Sequence, residues 1–365
     1  MNTFFSKALS LGMLSLILSA CAALPPRAAV PAATAVAPAS VKPSSLTVMV
    51  HDSFDIGEDL LKQFERTNNA KVTLLKSGDA GAMLNKAILS KGAPLADVIF
   101  GVDNAFLSRA LAAELVEPYA APALANIPAK FKLDAKNGFL PVDYGYVSLN
   151  FDATYSDKAL VAPSTLRELA EPKWSKRLAV QNPATSSPGM AFLLITIAAF
   201  PEGSDYTWQQ FWADLKKNQI QVSAGWSDAY YKDFSGSSGK GPYPLVVSYA
   251  TSPAAELFYS EGKLKQPPTI NVDVGAFEQV EFVGIMKGSK NRVLAEKWVD
   301  FMLSADFQKD FPTRMWVYPV LKDVVLPDVF TQYAPLPKQV FSLSPAQIDA
   351  NRDKWVQTWT NIVLK

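Results

Sequence analysis

Hydrophobic and polar positions after residue 45 follow two periods, and this pattern predicts alternating strands and helices. Short apolar runs rich in β-branched residues predict strands at 46–50, 71–75 and 97–101. Apolar positions at helical spacing predict helices at 57–69, 82–92 and 104–115, the last with Asn104 as a candidate N-cap. Strands and helices that alternate at such short intervals predict a parallel sheet with helices on both faces.

A second α/β region follows an extended segment at residues 138–152. Its pattern predicts strands that begin near 177 and 244, and helices at about 189–200, 207–218, 251–259, 291–311 and 344–364, with Ser344 as a cap. A further extended segment covers residues 279–288. The two extended segments are long enough to cross between two lobes.

The N-terminus has the pattern of a secretory signal. Lys7 precedes an apolar run that ends in small residues before Cys21, the only cysteine in the chain. "LSAC" resembles the lipobox of bacterial lipoproteins, in which the cysteine becomes the acylated first residue. Residues 22–45 are rich in Ala and Pro and lack an amphipathic period, which is typical of an extended tether.

Composition narrows the possible functions. The chain has 365 residues, of which 49% are hydrophobic and 19% charged, so a large core in more than one lobe is expected. The net charge is +1 and no long basic run occurs, which argues against a nucleic-acid partner. His51 is the only histidine, so zinc sites and nucleophiles that need a histidine base are disfavoured.

Two segments at predicted strand ends carry polar residues that could meet at one site. Residues 51–54 (HDSF) and 101–104 (GVDN) each follow a strand directly, and ligands of parallel sheets bind beyond the carboxyl ends of the strands. Farther along, Ser186 and Ser187 precede Pro188 and an apolar helix. Such a helix start either caps its own N–H groups or binds an anion such as phosphate, and the sequence leaves both possibilities open.

Several aromatic residues lie in or beside predicted loops rather than on helical faces. They are Trp226, Tyr230, Tyr231, Tyr249 and Trp316. Aromatic faces near carboxylates suit a flat cationic ligand. The acids Asp52, Asp103, Asp143 and Asp228 lie at strand ends or in loops, and they suit either a cationic ligand or the paired carboxylates of a hydrolase.

Several stretches occur in the order seen in the thiamine-binding proteins of ABC transporters, and the chain resembles that family over nearly all of residues 46–320. The stretches are HDSF, DVIFGVDN, PVDYGYVSLNFD, TSSPG, GWSDAY, SYATSPA and MWVYPV. The chain departs from the family at His51, where an aromatic residue is usual, and at Pro244, where an acid is common.

The resemblance implies a set of ligand contacts in a cleft between two lobes. Trp226, Tyr249 and Trp316 would contact the rings of the ligand, with Tyr230 as a helper, and Asp103 would be the acidic or polar contact. A hydroxyl or phosphate tail would meet hydroxyl and N–H groups of Ser186, Ser187 and Gly189. Asp52 and Ser53 would line the edge of the first lobe.

The resemblance also implies the architecture: a two-lobed α/β fold of the type II periplasmic binding proteins, each lobe a central sheet flanked by helices. The expected organisation is a signal peptide at 1–20, a lipid-anchored tether at 21–45, lobe 1 at 46–145 plus 279–318, and lobe 2 at 146–278 plus 319–365. The expected function is delivery of thiamine or its phosphates to an ABC permease by a monomer without cofactor or catalysis. Such a protein would be extracytoplasmic and anchored through Cys21.

Two other functions remain open from the residues. Adjacent tyrosines, Tyr230 and Tyr231, also suit a ferric ion, because oxygen ligands match a hard cation. A secreted hydrolase would need two carboxylates at a defined separation, for which Asp103 and Asp143 are candidates.

Overall fold

The computed structural model describes residues 43–236 and 239–365. The predicted signal peptide, Cys21 and nearly all of the predicted tether therefore lie outside the described residues. The first strand begins at Ser44, slightly before the predicted end of the tether. No helix within the described residues is both long and apolar enough to cross a membrane.

The described residues form eleven strands and twelve α-helices. The strands are β1 Ser44–Val50, β2 Ala70–Lys76, β3 Val98–Asp103, β4 Val116–Glu117, β5 Leu140–Asp152, β6 Leu178–Gln181, β7 Gln221–Ser223, β8 Leu245–Tyr249, β9 Thr269–Met286, β10 Tyr318–Pro319 and β11 Val340–Phe341. The helices are α1 Glu58–Asn68, α2 Ala80–Leu89, α3 Leu107–Ala112, α4 Ser187–Ala199, α5 Trp208–Lys217, α6 Trp226–Asp228, α7 Ser252–Tyr259, α8 Arg292–Met302, α9 Ala305–Asp310, α10 Pro312–Met315, α11 Asp328–Tyr333 and α12 Pro345–Val363.

All eleven strands belong to one mixed sheet. Its main path runs β2-β1-β3-β9-β5-β8-β6-β7, with β4 and β11 paired to β9 and β10 paired to β5. The predicted parallel pairing occurs between β1 and its neighbours and between β6 and its neighbours. The long strands β5 and β9 run antiparallel to β3, to β8 and to each other, so the sheet is mixed rather than parallel.

The two long strands join the two ends of the sheet. β5 pairs with β9 from Leu140 to Asp152. The parallel strands β1–β3 lie on one side of this pair and β6–β8 lie on the other. We call these the first and second halves of the sheet; the exact lobe boundaries predicted from the sequence stay a prediction.

The main hydrophobic core joins the sheet to helices from both ends of the described chain. Helix α4 is buried along nearly its whole length, consistent with its continuous apolar sequence. Trp298 of α8 packs against Phe64 of α1 with ring centroids 5.0 Å apart, and Trp212 of α5 packs against Trp359 of α12 at 5.5 Å. Helix α12 starts at a capping box on Ser344, which confirms the predicted cap, and it also contacts α3.

Three local predictions differ from the structure. Asn104 does not cap α3, since its side chain instead bonds the backbone of β9 at Glu278 and Val280. The predicted helix at 291–311 is two helices, because Ser304 ends the first region and caps α9 by accepting the Phe307 N–H. The predicted loop around Trp226 is helical: α6 continues into a π-helical turn at Ala229–Asp233.

Candidate functional site

A cavity of about 680 Å³ opens beside the carboxyl ends of several strands. Small-molecule sites usually measure about 300–1,000 Å³, so its size suits a small ligand. The segments that follow β1 and β8, the start of α4 and the residues around α6 all reach it. Its lining includes Asp52, Ser53, Asp79, Ser187, Trp226, Tyr230, Tyr231, Tyr249, Thr251, Ser252, Glu256, Tyr259, Glu281, Arg314 and Trp316.

One wall of the cavity is aromatic. The Trp226 ring stacks on Tyr230 at 4.9 Å with an interplanar angle of 17°, and it meets Tyr231 edge-on at 5.3 Å. Tyr249 lies 6.2 Å from the same indole ring. Tyr231 also lines the cavity and is 49% exposed. The helical turn at 226–233 brings Trp226, Tyr230 and Tyr231 together.

Hydrogen bonds hold Trp226 in place. Its indole N–H donates to the Ser248 hydroxyl at 2.8 Å, and its backbone N–H donates to the Asp79 carboxylate at 2.9 Å. Asp79 comes from the first half of the sheet and also accepts the Ala80 N–H at the start of α2. Asp79 therefore connects α2 directly to the ring-bearing segment of the other half.

Trp316 also lines the cavity. It follows α10 in the left-handed backbone conformation (φ 58°), and the Thr251 hydroxyl donates to its carbonyl at 2.6 Å. Its ring stacks on Phe330 of α11 at 5.2 Å and touches Phe258 of α7 at 5.3 Å. Its ring neighbours thus come from segments that the sequence prediction assigns to lobe 2, although Trp316 itself is assigned to lobe 1.

Seven of the ten residues predicted to contact a ligand line the cavity. They are Asp52, Ser53, Ser187, Trp226, Tyr230, Tyr249 and Trp316. The Asp52 carboxylate accepts the Gly78 N–H at 2.8 Å, and the Ser53 hydroxyl lies 3.4 Å from that of Ser227. Their position beside the cavity is an observation; their contact with a ligand stays a prediction.

Asp103, Ser186 and Gly189 do not line the cavity. Asp103 is 1% exposed, accepts the Ala105 N–H at 2.7 Å and accepts the hydroxyl of Ser187. Ser186 is fully buried at the start of α4. Gly189 packs so closely on β6 that an added Cβ would lie 2.5 Å from the Gln181 carbonyl oxygen. Glycine is required there for helix-to-strand packing.

The sequence reasoning missed several cavity residues. Asp79 and Glu281 are acids that reach the lining, and Glu256 and Tyr259 also contribute to it. Asp79 had a local signal, since an Asp before an apolar helix is a common N-cap. Glu281 had none, because an acid inside an extended segment is expected to face solvent.

Acidic side chains outnumber basic ones on the cavity wall. Its described lining contains five acids, Asp52, Asp55, Asp79, Glu256 and Glu281. Arg314 also lines it but pairs with Asp310 at 3.3 Å. Burial lowers the pKa of His51 to about 4, so this side chain is neutral near pH 7. The arrangement favours a positively charged ligand.

Burial also raises the pKa of two lining acids. For Asp79 the burial effect is the largest, and nearby polar groups of Ser186 and Trp226 oppose it. For Glu281 burial again acts first, followed by the charges of Asp143 and Asp103. A cation that entered the cavity would stabilise the ionised form of these acids.

We expect Asp79→Ala to lower the free energy of unfolding by about 1–3 kcal/mol, because it removes a helix cap and leaves the Trp226 N–H without its acceptor. Urea unfolding without ligand measures this. Asp79→Asn keeps an acceptor oxygen and should lose clearly less. Equal stability of Asp79→Ala and the wild type would show that the bond between Asp79 and Trp226 contributes nothing.

The geometry also bears on the two alternatives. Asp103 and Asp143 are both buried and lie outside the described cavity lining, so they do not flank an open space as a hydrolase pair would. Tyr230 donates its hydroxyl to Glu256, and the rings of Tyr230 and Tyr231 stand at 89° to each other. One of the two hydroxyls of the tyrosine pair, that of Tyr230, is therefore already engaged in a hydrogen bond to Glu256.

Comparison with known proteins identifies similar chains. Residues 93–337 match the family described as bacterial extracellular solute-binding protein. The chain is 35% identical to the thiamine-binding periplasmic protein of Salmonella typhimurium over 334 residues, which cover 90% of this chain and 96% of that protein. It is 33% identical to the Escherichia coli protein of the same name, with the same coverage.

Solved structures agree with these relatives. A periplasmic thiamin binding protein superimposes with a TM-score of 0.76 at 31% identity and covers 88% of this chain and 96% of its own. The ferric binding protein from Campylobacter jejuni superimposes with a TM-score of 0.69 at 18% identity, covering 87% of this chain and 99% of its own. At that identity the second likeness shows the fold alone. The predicted fold class, a two-lobed periplasmic-binding-protein fold, is confirmed.

Proposed function

The chain belongs to the bacterial extracellular solute-binding proteins, and we propose that it binds thiamine outside the cytoplasm and delivers it to the permease of an ABC importer. The relatives named for thiamine cover most of the chain at 33–35% identity, whereas the ferric-binding structure is far more distant. Proteins of this kind bind and release a solute, so no catalytic step is assigned.

The single observation that carries the proposal is an aromatic wall beside a surplus of carboxylates in one cavity. Thiamine has a flat aminopyrimidine ring and a permanently positive thiazolium ring. Trp226, Tyr249 and Trp316 offer aromatic faces, and a cation over an indole contributes about 0.5–2 kcal/mol. Asp79 and Glu281 supply the negative charge that matches the thiazolium.

The mode of delivery forms part of the same proposal. The protein acts as a monomer, and its lobes close on the ligand by a hinge motion of residues 140–150 and 276–286, which lie in β5 and β9. Two hydrogen bonds connect the halves beside the cavity. The Trp226 N–H donates to Asp79, and the Ala82 N–H donates to the Thr185 carbonyl at 3.1 Å. Acylation of Cys21 would keep the protein at the membrane that holds the permease.

Calorimetry of the protein purified from cells tests the proposal. We expect saturable binding of thiamine with a stoichiometry of one, and weaker or absent binding of ferric citrate. Thiamine monophosphate and diphosphate form two further arms, which rank the phosphate esters against the free vitamin. Absence of thiamine binding under all conditions would refute the proposal.

Iron binding would have its own optical result. Ferric ion held by tyrosines gives a coloured protein, and the colour would vanish in Tyr231→Phe. A colour of this kind, without thiamine binding, would replace the thiamine proposal with the iron alternative. Tyr231→Phe also tests whether Tyr231 borders the thiamine cavity through its ring, because this variant loses one hydroxyl and keeps the ring.

A further inference from the structure

Three buried acids lie side by side across the middle of the sheet. Glu281 of β9 is the direct cross-strand partner of Asp103 on β3 and of Asp143 on β5. The exposed fractions of Asp103, Glu281 and Asp143 are 1%, 5% and 0%. Cross-strand partners on adjacent strands face the same side of a sheet, so we call these three residues the carboxylate row.

The carboxylate row lacks basic partners. Within the described residues, no Lys or Arg forms an ion pair with any of the three acids, and the basic side chain that approaches them is His51, whose Nε2 lies 3.5 Å from Glu281. Neither oxygen of Asp143 has an N–H or O–H donor in that part of the chain, and the group it faces is the Glu281 carboxyl. Two carboxyl groups in contact are stable only if they share a proton.

The groups around the row do not supply the missing positive charge. Asp79 at the start of α2 adds a further negative charge, and Ser187 of α4 and Tyr249 of β8 are neutral. His51, after β1, is neutral because burial lowers its pKa to about 4.

Three charged side chains farther from the carboxylate row complete its surroundings: Lys76, Asp52 and Arg352. Asp52 and Lys76 act on His51 with opposite signs: the Asp52 charge raises the pKa of His51 and the Lys76 charge lowers it. Arg352 of α12, whose charge reaches Asp103, lies over the Phe106 ring at 4.7 Å and bonds Asp353. The row therefore depends on protons to reduce its own charge.

The titration of the row agrees with its geometry. Burial raises the pKa of Asp143 to about 8 and that of Asp103 to about 6, and it raises the pKa of Glu281 as well. The Asp143 and Glu281 carboxyl groups are in contact and their protons belong to the pair, so the row carries at least one proton near pH 7. Glu281 is the member that reaches the cavity.

We propose that the carboxylate row selects for positive charge on the ligand: a cation entering the cavity beside Glu281 displaces a proton from the row to the solvent. The inference rests on the proposed function. It assigns a specificity role to Asp143 and Asp103, which do not line the described cavity and act through Glu281. A neutral ligand of the same shape displaces no proton and loses the attraction.

The sign of the pH dependence follows. Below the apparent pKa of the row, the ligand must expel a proton, so binding weakens as the pH falls. One displaced proton corresponds to up to about a tenfold increase in affinity for each pH unit gained. At a pH above the apparent pKa of the row this proton has already been lost, and the affinity becomes constant.

Calorimetry with thiamine and with 3-deazathiamine, whose sulfur ring is uncharged, tests the proposal. Titrations at pH 6, 7 and 8 in phosphate and in Tris separate the heat of buffer protonation from the heat of binding. We expect thiamine to release between half a proton and one proton at pH 7 and to bind more tightly at pH 8 than at pH 6. The neutral analogue should bind more weakly, release no proton and show no pH dependence.

These titrations distinguish failure of the role proposed for the carboxylate row from failure of the proposed function. If thiamine binds with a constant affinity and no proton release, the carboxylate row has no such role while the proposed function stands. If thiamine fails to bind at every pH, the proposed function itself fails. Equal proton release by thiamine and the neutral analogue would also overturn the inference, because closure of the cavity and not ligand charge would then expel the proton.

A variant outside the cavity lining gives an independent test. Asp143→Asn preserves the shape of the protonated acid, so we expect proton release to fall and the pH dependence of affinity to flatten. Asp97→Asn is the matched control: Asp97 is also a buried acid, but it bonds Thr47, Ser289 and Asn291 far from the row. An unchanged pH profile in folded Asp143→Asn would refute its role. The measurements on the wild type decide the proposal even if this variant does not fold.

Discussion

Replacement of Trp226 by alanine is expected to weaken thiamine binding by roughly thirty-fold or more. Buried tryptophans at binding hot spots contribute about 2 kcal/mol or more, and each 1.4 kcal/mol is a factor of ten in affinity. The variant removes the indole face, the stack on Tyr230 and the bond to Ser248 together. Calorimetry at one pH measures the change.

Two controls make this result specific. Trp226→Phe keeps an aromatic face and should retain much of the lost affinity, whereas Tyr155→Ala removes an aromatic ring that does not line the described cavity and should bind as the wild type does. The far-ultraviolet circular dichroism of Trp226→Ala should match the wild type. Full affinity in a folded Trp226→Ala would remove the aromatic wall from the proposed site.

The largest expected effect on stability comes from Trp212→Ala, which should lower the free energy of unfolding by about 3–5 kcal/mol. Trp212 is 1% exposed and packs edge-to-face on Phe192 of α4 and Trp359 of α12 at 5.6 and 5.5 Å. Its indole N–H donates to the Thr196 hydroxyl at 2.9 Å, so the variant also leaves a buried hydroxyl without that partner. Urea unfolding followed by fluorescence and by circular dichroism measures the loss.

Matched variants separate packing from surface effects. Trp212→Phe keeps most of the ring volume and should cost clearly less than alanine, while Val325→Ala shortens a side chain that is 86% exposed and should change stability by less than about 0.5 kcal/mol. The folded fraction of Trp212→Ala should still bind thiamine, since Trp212 does not line the described cavity. A loss below 1 kcal/mol would contradict the packing argument.

Local pattern is enough to predict most of the individual strands and helices. The apolar runs near residues 46 and 97 lie in β1 and β3, and the capping box at Ser344 starts α12. The position of β9 in the sheet cannot be read in this way. It pairs with β3 and β5 through hydrogen bonds between segments far apart in sequence, and hydrophobic period does not encode a partner strand.

The candidate site is likewise predictable from the sequence only in part. Aromatic residues near acids indicate the class of ligand, and seven of the residues expected to contact it lie at one cavity. The bond between Asp79 and Trp226 joins residues 147 positions apart, so neither residue signals the other locally. The carboxylate row depends on strand register, which places Asp103, Glu281 and Asp143 side by side only after the sheet has formed.

The place of β9 also has a consequence during synthesis. β3 lies early in the sequence, but β9, its neighbour toward the middle of the sheet, begins only at Thr269. Helix α8, which packs on β9, follows later still. A growing chain that ends before residue 269 cannot complete even its N-terminal half, however slowly translation proceeds. This order of synthesis delays folding of the sheet until most of the chain has been made.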